Sequence, residues 1–143
     1  MRYYLSLGSN LGEREQTLRE AVRQIEQQIG TVSRCSSFYY SEPWGFASEN
    51  GFCNLCCLVE TSMTPEQVLT ATQAIERALG RTHKSVNGHY SDRTIDIDII
   101  RAFDEEGKEI VSRSAQLTIP HPLWEQRDFV KVPLQEISAG ISS

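Results

Sequence analysis

No apolar run in this 143-residue sequence approaches the roughly 20 residues that a membrane-spanning helix requires. The opening, Met1-Arg2-Tyr3-Tyr4-Leu5, enters a short apolar run that breaks at Gly8 and lacks the pattern of a signal peptide. The expected location is cytoplasmic. Excess positive charge is missing as well. The net charge of −5 at pH 7 argues against a non-specific nucleic-acid binder, although a local basic patch is compatible with it. The motifs G-x-x-x-x-G-K-[ST], G-x-G-x-x-G and G-x-S-x-G are absent, and no nucleophilic triad is evident, so P-loop, dinucleotide-binding and hydrolase readings fall away. Cysteine is scarce: Cys35, Cys53, Cys56 and Cys57. Cys53 and Cys56 have C-x-x-C spacing, but no second pair or His pair stands at zinc-finger distance. In the strand expected there, positions i and i+3 face opposite ways. These cysteines are expected to be buried free thiols. Repeats, linkers and low-complexity tracts are also absent.

What is present is ordinary for a folded soluble chain, with 39% hydrophobic and 23% charged residues. The length suits a single domain, 1–143, around one core. Residues 2–7 read as a strand, followed by a Gly8–Gly12 turn in which Ser9 or Asn10 can cap a helix. Leu18, Ala21, Val22, Ile25 and Ile29 then recur at helical spacing, and Gly30 is the expected stop. A strand is expected over 31–40 and another over 52–61, separated by an irregular, aromatic loop at 41–51. Thr64-Pro65-Glu66-Gln67 opens a second helix with cap chemistry. A polar stretch over 81–92 leads into a strand. A hairpin turn follows near Glu106-Gly107, then a stiff segment with two prolines, one helical turn over 124–127 and a last strand over 129–132. The order β-α-β-β-α-β is the split βαβ pattern, an α+β sandwich of a mostly antiparallel sheet with two helices on one face.

The chemistry centres on Arg93-Thr94-Ile95-Asp96-Ile97-Asp98-Ile99-Ile100. On a strand, Ile95, Ile97 and Ile99 share one face, and Asp96 and Asp98 share the other. Alternate residues lie roughly 6.5–7 Å apart, close enough for both carboxylates to hold divalent cations bound to one phosphate chain. A half-exposed strand with a solvated acidic face has the same alternation.

Two further features accompany that pair. Cations stand near it in sequence or in the expected fold: Arg81, Lys84, Arg93, His121 and Arg127. An aromatic loop carries Trp44 and Phe46, with Phe52 and Asn54 just beyond. Carboxylates hold magnesium, which bridges phosphate oxygens. Arg and Lys neutralise phosphate charge. Aromatics sandwich a flat ring, and an Asn supplies the donor and acceptor that its edge needs. Each feature has a plainer alternative: solvated loop charges for Arg81 and Lys84, a packed imidazole for His121, a lid on the core for Trp44. The residues alone reach as far as magnesium-dependent phosphate chemistry on a planar small molecule.

Several strings together resemble 6-hydroxymethyl-7,8-dihydropterin pyrophosphokinases, in that family's order and spacing over nearly the whole chain. They include Tyr4–Gly12, Glu42-Pro43-Trp44-Gly45, Phe52-Cys53-Asn54, Ile75–Arg81, Asp92–Ile99, Leu117-Thr118-Ile119-Pro120-His121-Pro122 and Arg127–Val130. The resemblance implies a ferredoxin-like fold. It implies transfer of the β,γ-diphosphoryl unit of ATP to the pterin hydroxymethyl group, with AMP as the other product, in folate biosynthesis. It also implies that Asp96 and Asp98 ligate two magnesium ions and that Arg81 and Arg93 act on the phosphates beside them. Gln73, Glu76, Arg81, Lys84, Arg93, Ile99, Leu117, Thr118, His121 and Arg127 would meet ATP. Ser41, Glu42, Trp44, Phe52, Asn54, Asp96 and Phe129 would meet the pterin. The implied partners are these two small molecules alone, bound by a monomer that takes neither nucleic acid nor membrane nor protein.

Two departures stand out. Many relatives carry a shorter, arginine-rich loop ending in W-G-P-R before the acidic strand. Here Arg81–Arg93 has no Trp, and Tyr90 is the aromatic available to seal the site. Gln116 stands where some relatives have Arg. Two rivals remain at this level: a non-catalytic pterin-binding module on the same scaffold, and a metal-dependent phosphoesterase using the same acidic pair.

Overall fold

A computed structural model of the chain describes residues 1–10, 13–41, 51–80 and 95–138. Strand β1 (Arg2–Ser9) lies inside the sheet. It pairs antiparallel with β4 (Phe52–Glu60) on one side and with β5 (Asp96–Phe103) on the other. Strand β2 (Thr31–Cys35) pairs with β4 further out, giving the order β2-β4-β1-β5. This is the split βαβ order, in which β4 sits between the two strands flanking the first helix. A short strand, β3 (Tyr39–Ser41), also pairs with β4. The expected single strand over 31–40 is thus two, interrupted at Ser36, whose N–H and hydroxyl both bond the Cys56 backbone instead. Strands β6 (Ser112–Arg113) and β7 (Thr118–Ile119) form a small separate ladder.

The helices follow their apolar stripes. In α1 (Arg14–Gln28), Leu18, Ala21 and Ile25 are buried. In α2 (Pro65–Gly80), Val68, Thr72 and Ile75 are. Both pack on the face of the sheet that bears Tyr3, Leu5, Leu7, Cys53, Leu55, Cys57, Ile97 and Ile99. Burying each such aliphatic side chain contributes about 1.5–3 kcal/mol. The start of α2 is a reciprocal cap: Thr64 Oγ1 accepts from Gln67 N at 3.3 Å, and Gln67 Oε1 accepts from Thr64 N at 2.8 Å. The start of α1 differs from expectation. It begins at Arg14, and Glu13 precedes it with no side-chain cap. Of the two expected caps, Ser9 and Asn10, Ser9 instead continues β1, and its buried hydroxyl has no partner among the described residues. Gly30 does follow α1, but close approach explains it better than chain reversal. A Cβ there would stand 2.2 Å from the Glu60 carbonyl oxygen.

The largest departure lies at the C-terminal end. The expected strand over 129–132 is the first half of a helix, α3 (Asp128–Ser138). The β-branched pair Val130 and Val132, with Pro133 just after, imitates a strand end. Yet Val130, Pro133, Leu134 and Ile137 are all buried, and their i, i+3, i+4, i+7 spacing is helical. This helix packs on the opposite face of the sheet, against Tyr4, Cys56, Leu58 and Ile100. The two expected helices, α1 and α2, do share one face; α3 is a further helix that covers part of the second face and leaves the rest to a cavity. Among the cysteines, Cys53, Cys56 and Cys57 are buried free thiols, whereas Cys35 is free but exposed, contrary to expectation. No helix among the described residues is long and apolar enough to cross a membrane.

Candidate functional site

The open half of the second face is a cavity. Its floor is set by strand register. Gly8 of β1 pairs with Asn54 of β4 and with Asp96 of β5, and Ser6 pairs with Cys56 and with Asp98. Strict alternation turns Ser6, Gly8, Asn54, Asp96 and Asp98 to this side while Leu5, Leu7, Leu55 and Ile97 enter the core. Gly8 has a specific task. A Cβ on it would come within 2.5 Å of Asn54 Nδ2, so the absence of a side chain lets the Asn54 amide lie across β1.

Asn54 is 4% exposed, and its Nδ2 reaches the Leu7 carbonyl oxygen only at 3.5 Å. Among the described residues its Oδ1 is buried without a hydrogen-bond partner. A buried, unpaired amide oxygen is costly, and this one belongs to a cavity-lining side chain, where a donor on a bound molecule would satisfy it. The walls carry two aromatic rings. Phe52 enters at the start of β4, directly across from Ser41 at the end of β3. Phe129 enters from the first turn of α3, with the Arg127 guanidinium 5.8 Å from its ring centre.

Charge gathers where β5 borders the cavity. Glu76, on α2, accepts the Ile97 amide at 2.8 Å, so its carboxyl wraps the outer edge of β5 between the two aspartates. Burial pushes the Glu76 carboxyl up to about 7; the Ile97 bond opposes this, and the Asp96 and Asp98 charges add to it. The β1–β5 ladder is irregular between Tyr4 and Leu5, where Ile100 is the extra residue on β5. Its carbonyl oxygen accepts the His121 N–H at 2.8 Å, which docks the segment after a cis Ile119–Pro120 bond beside β5. His121 Nδ1 accepts from Leu123 N at 3.3 Å. Burial and the nearby Arg127 lower the His121 pKa, with Asp96 opposing.

Of the residues expected to meet the pterin, Ser41, Phe52, Asn54, Asp96 and Phe129 line this one cavity, as do Asp98 and Arg127. Glu76 and His121 stand beside it, both within electrostatic reach of Asp96. The others do not line it. Gln73 is exposed on α2, one turn before Glu76. Ile99 is buried in the core. Leu117 is buried, and its backbone N–H and carbonyl are engaged by Ser112 and Ser114. Thr118 is exposed on β7, which packs beside β5. Glu42, Trp44, Arg81, Lys84 and Arg93 lie outside the described residues. Ser6 and Gly8 were missed as lining residues, although alternation with Leu5 and Leu7 was signal enough to find them.

The donor set suits magnesium. Two carboxylates share one face at alternate strand positions, and both line the cavity. Among the described residues no group of three or more His, Cys, Asp or Glu could enclose a metal.

Comparison with known proteins gives a consistent result. Residues 4–139 match the family model for 7,8-dihydro-6-hydroxymethylpterin-pyrophosphokinase. A 2-amino-4-hydroxy-6-hydroxymethyldihydropteridine pyrophosphokinase of Porphyromonas gingivalis is 44% identical over 135 residues, covering 94% of this chain and 89% of that protein. The protein of the same name from Bacillus subtilis is 40% identical, over 94% of this chain and 76% of its own length. A folic acid synthesis protein of Pneumocystis carinii is 38% identical over 96% of this chain, which matches 18% of that longer protein.

Proposed function

The chain belongs to the 7,8-dihydro-6-hydroxymethylpterin-pyrophosphokinase family and is a pyrophosphokinase of folate biosynthesis, and from that premise we propose how its residues divide the work. The pterin ring lies in the cavity between Phe52 and Phe129. Asn54 Oδ1 takes a donor from the ring's edge. The hydroxymethyl group points toward Asp96 and Asp98. ATP lies along the outer edge of β5, and the diphosphoryl unit passes from it to the hydroxymethyl oxygen, leaving AMP. The observation that carries this reading is the cavity itself, which joins two aromatic walls, a buried amide oxygen unpaired among the described residues and two carboxylates on one face of a strand.

Asp96 and Asp98 would hold two magnesium ions, which supply charge neutralisation to the phosphate oxygens when bound. The side chains do the rest by position and electrostatics. Glu76 fixes the backbone between the two aspartates. Arg127 and His121 bring cationic and hydrogen-bonding groups to the same border. Arg81, Lys84 and Arg93 would add positive charge at the phosphates. In this reading the chain acts alone on two small molecules in the cytoplasm.

The test is direct. The purified chain is mixed with ATP, magnesium and 6-hydroxymethyl-7,8-dihydropterin, and the products are separated. AMP and a pterin diphosphate in equal amounts are expected. Inorganic phosphate or diphosphate without the pterin product would identify a phosphoesterase instead, and pterin binding without ATP consumption would identify a binding module.

A further inference from the structure

The first turn of α1 reaches across to the β3–β4 hairpin at the place where it supplies the cavity wall. Arg14 Nη1 donates to the Gly51 carbonyl oxygen at 2.7 Å, one residue before Phe52. The same guanidinium lies 5.8 Å from the centre of the Tyr40 ring, one residue before Ser41. The Tyr40 hydroxyl in turn bonds the Glu15 carboxylate. Gly51 is pressed against the other strand of the hairpin: a Cβ on it would meet the Ser41 carbonyl oxygen at 2.6 Å. Ser41 and Phe52, the two cavity residues that the hairpin contributes at this end, are themselves a register pair. One side chain from a helix thus ties both strands at the residues adjoining that pair. Strand β3 gains most from such a tie, because it is only three residues long and is held to the sheet through β4 at three register pairs.

We infer that Arg14 is a positioning residue for the pterin, acting through Gly51 and Tyr40 on Ser41 and Phe52. The inference rests on the function proposed above and adds to it a determinant on α1, a helix that contributes no residue to the cavity lining. A ring sandwiched between aromatic walls loses affinity when one wall is free to shift, since ordering that wall is then charged to binding. The nucleotide edge of β5, on the far side of β1, does not depend on this tie.

The experiment compares wild type with Arg14→Ala. Loss of a hydrogen bond from a charged donor is expected to raise the pterin KM about tenfold and leave the ATP KM within about twofold. In ligand-free protein, amide exchange is expected to quicken at Tyr40, Ser41 and Phe52 and to stay unchanged in β1 and β5. Arg14→Lys is expected to recover part of the loss, because an ammonium can reach the carbonyl but cannot also lie flat on the ring. Arg19→Ala is the control: Arg19 lies over Phe38, 5.1 Å from its ring centre, and bonds nothing at Gly51. Should the alanine chain not fold, Arg14→Lys against Arg19→Ala carries the same comparison. A folded Arg14→Ala with an unchanged pterin KM, or with both KM values raised alike, overturns the inference alone. A wild type that neither binds the pterin nor forms AMP overturns the proposed function as well.

Discussion

Glu76 Oε2 accepts the backbone N–H of Ile97 at 2.8 Å, so a carboxyl from α2 closes the outer edge of β5 midway between Asp96 and Asp98. The edge of a sheet leaves N–H groups without strand partners, and here one of them is satisfied by an acid rather than by another strand. The same bond ties the helix layer to the strand that carries the acidic pair. Three carboxyl groups are thereby brought into electrostatic reach of one another, and the two aspartate charges disfavour ionisation of Glu76.

That gathering has a pH signature in the metal-free protein. Burial and the two aspartate charges raise the Glu76 carboxyl from the usual 4.5 to about 7. A group whose folded pKa is raised stabilises the fold fully below its unfolded pKa, and that contribution is lost as pH rises through the folded value. Stability is therefore expected to fall between about pH 4.5 and 7 and then to level. Glu76→Gln keeps an acceptor for Ile97 and removes the titration. Urea midpoints measured across that range should flatten in the variant, and an identical slope would move the effect to another group.

Asp98 lies opposite Ser6 and lines the cavity rather than the apolar core. Asp98→Ala should therefore leave the melting temperature close to wild type. AMP formation is expected to fall about 10²–10³-fold or more, the scale seen when a preorganised electrostatic group is removed. Chelation of the wild type should reach the same floor. A near-normal rate in a folded Asp98→Ala would return the acidic pair to a solvated strand face.

His121 should titrate below the usual 6.5, because burial and Arg127 disfavour its charged form more than Asp96 favours it. With Nδ1 accepting from Leu123 N, the neutral ring carries its proton on Nε2. NMR of the imidazole through pH 5–8 reads both, with Arg127→Ala expected to move the midpoint upward. A midpoint above 6.5 in the wild type would mean that Asp96 outweighs burial.

Much of this arrangement is legible in the sequence alone. The alternation of Ile95 through Asp98 placed the aspartates on one face, and the strict 3.6 spacing of Leu18, Ala21 and Ile25 identified α1. The α3 region reads as a strand because the strand-like or helix-breaking preferences of Val130, Val132 and Pro133 mask the helical spacing of Val130, Pro133, Leu134 and Ile137; packing on Tyr4 and Cys56 overrides those preferences. The association of Phe129 with Phe52 was implied by family resemblance alone, since nothing local joins positions 77 residues apart. Arg14 offered no signal, because a charged residue opening a helix normally reads as solvated. Its partner is a backbone carbonyl, which has no sequence identity to match.

Two glycines separate the site from the scaffold, and substituting each should show it. Gly30→Ala drives a methyl into the Glu60 carbonyl oxygen at 2.2 Å and the Thr61 side chain at 2.7 Å, both far from the cavity. Backbone must move, so the cost is expected at the upper end of the roughly 1–3 kcal/mol that overpacking brings. KM values of the folded fraction should not change. Gly8→Ala clashes with the end of the Asn54 side chain, at 2.5 Å, and makes an ordinary contact with Phe52 Cδ1 at 3.8 Å. The amide can swing away, so less stability is lost, but it swings out of the position in which its Oδ1 meets the ligand. The pterin KM should then rise well above tenfold, more than for loss of a single neutral hydrogen bond, while the ATP KM stays near wild type. Denaturation midpoints and both KM values on the two variants decide the matter. If Gly8→Ala loses stability as Gly30→Ala does and binds the pterin normally, the glycine serves the sheet and not the site.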